Sequence, residues 1–143
     1  MVDVLDCGGL HLINWASLAL GVVSRNWVAF DLVTVLAFVV IGRSAHDHGV
    51  NVAGIGSTVW PFAIGALVGW LVIALLDRTG ATLVDGAIVV IATVGAGMPL
   101  RFIAGQGVGL AFVFVALGFI GLFMLGGRAA FAALQLVRSK RSS

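Results

Sequence analysis

Arg43 and Arg101 each close a long apolar stretch, His46 and Asp47 follow the first of them, and Trp60 opens the next stretch. A guanidinium presents donors in a planar fork that matches a carboxylate or phosphate, and a histidine adds a donor near neutral pH. Arg43, His46 and Arg101, with Asp47 and Trp60 beside them, are therefore candidate ligand-binding residues for a small anion. Two converging guanidiniums repel each other, so this reading requires a bound anion or an acidic neighbour, with Asp47 the nearest. The competing reading is that the arginines snorkel to lipid phosphates and fix helix depth.

Asp31 and Asp85 are the carboxylates nearest to the apolar stretches, and intramembrane carboxylates commonly serve proton or cation movement. Both also fall within about two turns of an expected helix start, where the helix dipole favours negative charge, and Arg25 and Arg78 are close enough in sequence to pair with them. His46-Asp47-His48 has metal-binding residue types. His at i and i+2 share a side only in extended chain, however, and the remaining candidate ligands, Cys7 and His11, are far away in sequence. No metal site and no cofactor is expected. No nucleophile is spaced with a base and no glycine-rich phosphate loop follows a strand, so the chain is not expected to be an enzyme.

The elements that carry these residues are four apolar stretches. Val59–Leu76 and Val108–Leu125 each run 18 residues without a charge. As helices they are roughly 27 Å long, close to the hydrocarbon thickness of a bilayer. The composition is 61% hydrophobic and 10% charged, leaving too little polar surface to cover a soluble core of this size. The expected fold is an all-α, polytopic bundle with spans at about 26–42, 59–76, 81–100 and 108–125. Trp60-Pro61-Phe62 would open the second span, and Gly95, Gly97 and Pro99 would weaken the end of the third. Gly65 and Gly69 on span two, and Gly118 and Gly121 on span four, lack side chains that would hold neighbouring backbones apart. They are candidates for helix packing, within the chain or between copies.

Residues 1–25 form a separate segment. His11, Asn14, Ser17, Gly21 and Ser24 recur at helical spacing, opposite Leu10, Ile13, Leu20 and Val23, which predicts an interfacial helix, with a fifth span as the alternative. Residues 129–143 read as a basic tail, with Arg128 to Arg138 continuing as a helix along or out of the membrane surface. Arg25, Arg78, Arg128, Arg138, Lys140 and Arg141 fall on one side of the four spans, Arg43 and Arg101 on the other. The bias predicts a multi-pass protein of the cell membrane with both ends of the core cytoplasmic. Expected partners are the lipid bilayer, anionic lipid headgroups and a homo-oligomer or larger membrane complex, with no nucleic acid.

Ile41-Gly42-Arg43 with His46, Trp60-Pro61-Phe62 with Gly69-Trp70, and Gly97-Met98 with Leu100-Arg101 form a recognisable set. On these residues, from about Asp31 to Arg128, the chain resembles a family of small four-helix prokaryotic membrane proteins catalogued as domain of unknown function 3054. The resemblance implies a compact four-helix membrane fold and supplies no activity. Asp31 and Arg43 bracket span one as Asp85 and Arg101 bracket span three, an echo that would suit two parallel hairpin repeats. The function expected from the residues is small-solute or lipid-headgroup binding linked to transport. The alternative is a noncatalytic accessory or assembly subunit of a larger membrane complex.

Overall fold

The computed structural model describes the backbone of residues 6–45 and 51–141, and the side chains of residues 25–44 and 51–141. Among these residues the chain forms four helices and no strands: α1 (Asp6–Ala45), α2 (Val52–Leu75), α3 (Leu83–Ile103) and α4 (Leu110–Arg141). All four are long and apolar enough to cross a membrane. The protein is an all-α bundle of membrane helices in which α1 packs on α2 and α4, and α3 packs on α2 and α4. Large apolar side chains such as Leu71, Ile91, Phe114 and Leu122 point outward, whereas Asp31, Thr93, Asp85 and Arg128 are buried. That inversion of the soluble pattern suits a bundle solvated by lipid.

Helix bounds differ from the sequence reading in three places. α1 continues without a break from Asp6, so residues 6–25 extend the first helix instead of forming a separate interfacial one. α2 begins at Val52, two turns before Trp60, because Asn51 caps it by accepting a hydrogen bond from the Gly54 amide at 2.6 Å. Ser57 and Thr58 turn their hydroxyls back onto the Gly54 carbonyl and so stay within the helix. α4 runs through Gly126-Gly127, where the sequence reading ends the fourth span, to Arg141, so the helix expected along Arg128 to Arg138 is one with α4.

The two prolines sit inside helices. Pro61 lacks the amide that would bond the Ser57 carbonyl one turn back, and that carbonyl instead accepts the Gln106 side chain at 2.6 Å. Pro99 falls in the last part of α3, which nonetheless continues to Ile103.

Glycine sets the closest helix contact. A Cβ on Gly65 would lie 2.5 Å from the Thr93 carbonyl oxygen, and one on Gly69 would lie 2.8 Å from Val89 Cα. Both residues therefore let the backbones of α2 and α3 touch. Gly121 is buried against Val90, whereas Gly118 faces open space. The apolar core between the helices is built from Val35, Phe38, Phe62, Ile73, Val89, Val94, Ile120 and Met124.

Candidate anion-binding site

Two polar clusters occupy opposite ends of this core. At one end Asp31 and Arg128 are both fully buried. The guanidinium and carboxylate meet as a fork, Arg128 Nη1 donating to Oδ1 at 2.9 Å and Nη2 to Oδ2 at 2.8 Å. Trp70 Nε1 donates to the same Oδ2 at 3.1 Å. Arg128 Nε donates to the Gly80 carbonyl at 3.0 Å and Nη1 also to the Met124 carbonyl at 3.0 Å. The Trp27 ring covers the guanidinium at 4.7 Å. Every charged atom of this pair has a partner, which is the condition under which a buried ion pair persists.

The loop between α2 and α3 completes that end. Its turn places Asp77 and Gly80 at positive φ, and a Cβ on Gly80 would run into the Trp70 indole. Thr82 and Asp85 form a capping box at the start of α3, and Arg78 pairs with the Asp85 carboxylate. Asp31 and Asp85 are thus held by Arg128 and Arg78 respectively. The partner of Asp31 is Arg128, 97 residues away, while Arg25 is exposed. Arg128 corrects the sequence reading in another respect: counted there among the basic residues flanking the spans on one side, it is a buried core residue. An apolar groove of about 420 Å³ opens beside this end between α1 and α4, lined by Trp27, Phe30, Gly127 and Phe131 among others.

The other end holds Arg43 and Arg101. Arg43, in the last turn of α1, donates from Nη1 to Thr58 Oγ1 at 3.2 Å. Arg101 lies in the last turn of α3, where the helix dipole favours a cation. It is 9% exposed, with its guanidinium carbon 4.6 Å from the Phe112 ring centroid and 5.7 Å from that of Phe62. Its Nη2 makes one long contact, 3.4 Å to the Gly107 carbonyl. Among the described residues Arg101 Nε and Nη1 have no hydrogen-bond partner, nor does Gln106 Oε1.

The chain end of α3 explains why Gln106 is there. Gly105 takes a left-handed conformation, its amide donating to the Phe102 carbonyl at 3.0 Å, and the Gln106 amide donates to the Arg101 carbonyl at 2.9 Å. This glycine-dependent helix cap folds Gln106 back over the last turn. The Gln106 side chain then reaches Ser57 on α2, next in sequence to the Thr58 that holds Arg43. Arg43, Thr58, Gln106 and Arg101 are thereby tied to one end of the bundle. Trp60 is exposed on α2, and His46 and Asp47 lie outside the described residues. Of this cluster, the sequence reading assigned no role to Gln106, Thr58, Phe62 or Phe112.

Residues 28–131 match the family described as protein of unknown function (DUF3054). The chain belongs to that family. The matched stretch contains both members of the buried Asp31–Arg128 pair and the whole Arg101 cluster. No curated protein and no solved structure matches the chain.

Proposed function

We propose that this membrane protein binds a small oxyanion, a carboxylate or a phosphate, through Arg101 at the end of the bundle where α1 and α3 finish. The observation that carries the reading is the state of the Arg101 guanidinium. It is nine-tenths buried, with two of its three nitrogens lacking a partner among the described residues. A buried donor without a partner costs about 1–3 kcal/mol, and more when charged, so a residue is rarely kept in that condition without a use. The contrast with Arg128, equally charged and fully satisfied, argues against arginine burial as a general habit of this fold. Asp31 and Asp85 serve structural pairing in this reading, since the carboxylates are already engaged by arginine.

On this proposal the protein resides in the cell membrane with the Arg101 end outward, as the placement of its basic residues favours. Buried Arg128 and Arg101 drop out of the positive-inside tally, which leaves Arg25, Arg78, Arg138, Lys140 and Arg141 against Arg43. Movement of the bound solute would require a second copy or a partner chain, because Phe38, Phe62, Val35 and Ile120 fill the core between the two polar ends. A docking role in a larger complex is a second reading. It is favoured by Gly95, Gly118 and Gly126, where open space surrounds the position of a Cβ.

The test is ligand-dependent stabilisation of the purified protein in lipid nanodiscs, scanned with acetate, sulfate and inorganic phosphate. At a ligand concentration 100 times Kd the gain is about 2.7 kcal/mol, readily seen as a rise in melting temperature. Arg101→Gln should remove that rise while leaving membrane insertion intact. A wild-type protein whose melting temperature responds to none of the anions would defeat the proposal.

A further inference from the structure

A second unpartnered group at the same end narrows the ligand class. Gln106 presents its amide in one orientation only, because Nε2 donates to the Ser57 carbonyl that Pro61 leaves unbonded. Reversing the amide would set oxygen against oxygen. Oε1 is therefore the atom left over, a buried acceptor with no donor among the described residues. The helix cap at Gly105 brings the Gln106 backbone onto the Arg101 carbonyl, and Arg101 Nη2 reaches the Gly107 carbonyl, so both side chains leave the same end of α3.

These two needs differ in sign. Arg101 Nε and Nη1 call for acceptor oxygens, which any oxyanion supplies. Gln106 Oε1 calls for a hydrogen, which a fully deprotonated anion lacks; its lone pairs would face those of the amide oxygen. Resting on the oxyanion reading above, we infer that the site takes a phosphate that retains a hydrogen, either the inorganic ion or the singly protonated form of a phosphate monoester headgroup, and discriminates against sulfate. Near neutral pH inorganic phosphate keeps at least one hydrogen in both of its common forms, and sulfate keeps none. Size and shape are nearly the same for the two ions, so the donor to Gln106 is the difference the site can read. A buried polar group left unpaired by the wrong ligand is the usual source of sharp discrimination, here on the order of ten- to a hundredfold.

The experiment titrates inorganic phosphate and sulfate, at matched ionic strength and neutral pH, into the wild-type protein in phosphatidylcholine nanodiscs, with binding read by calorimetry. Phosphate binding at least tenfold tighter than sulfate is expected. Gln106→Leu should bring phosphate down to the level of sulfate, and Arg101→Gln should remove both. Because Gln106→Leu also loses the Ser57 contact, the wild-type comparison decides by itself. A parallel set of discs containing phosphatidic acid identifies the source. Loss of inorganic phosphate binding there assigns the site to a headgroup, and unchanged binding assigns it to the free ion. Equal affinity for phosphate and sulfate overturns the inference while leaving oxyanion binding in place. Binding of neither ion, together with no effect of phosphatidic acid, overturns both.

Discussion

At the scale of single residues, the two buried arginines share a side chain and differ in everything around it. Arg128 finds a carboxylate, two carbonyls and an indole face. Arg101 finds two phenyl rings and one distant carbonyl. Removing one partner of a buried pair leaves the other charge uncompensated, at a cost of about 3–5 kcal/mol. Asp31→Asn and Arg128→Met should each destabilise the protein by that amount in detergent unfolding. The combined Asp31→Leu, Arg128→Met variant should lose less than either single change, since it buries no orphan charge. Single variants within about 1 kcal/mol of wild type would show that the pair carries no such weight. Asp31 and Arg101 stood out in the sequence as charges beside apolar runs. Arg128 did not, because glycines precede it and basic residues follow it, which reads as a chain leaving the membrane. Its partner lies 97 residues away, and pairing across antiparallel neighbours has no local signature. Gln106 was readable in principle, since a glycine just beyond a helix end marks a cap that folds the next residue back.

At the scale of elements, α2 and α3 make the most intimate contact because Gly65 and Gly69 expose backbone to backbone. Gly65→Leu or Gly69→Leu must push the helices apart, and overpacking of this kind costs typically about 1–3 kcal/mol, occasionally more. A Cβ on Gly118 meets nothing within 4 Å, so Gly118→Leu should not destabilise the monomer. Melting temperatures of the three variants in detergent give the comparison. Since leucine is the better helix former, propensity alone would stabilise all three variants, and equal changes at the three positions would mean that close approach is not at work. The number of spans and their order followed from hydrophobic length alone, as expected where backbone hydrogen bonds must close within each helix. The ends did not. Asn51 starts α2 two turns before the apolar run does, and α4 passes through two consecutive glycines, because a continuing helix keeps its backbone paired whatever the local propensity.

At the scale of the whole molecule, the bundle is fastened at one end, and at the other it carries buried polar atoms without a partner among the described residues. The Asp31–Arg128 fork with Trp70 and Gly80 joins α1, α2, α4 and the α2–α3 loop. The Arg101 end is joined by Gln106 and Thr58, with donor and acceptor capacity left over. The charge distribution predicts that a reporter active only outside the cell, fused after Arg141, is silent; activity there would invert the orientation. The central claim, an oxyanion on Arg101, is tested most directly by anomalous diffraction at the arsenic edge from crystals soaked in arsenate, a phosphate analogue that keeps a hydrogen. The expected result is a peak at hydrogen-bond reach, about 3 Å, from Arg101 Nε or Nη1 and near Gln106 Oε1. Arsenic peaks elsewhere on the protein, with none at Arg101, would contradict it.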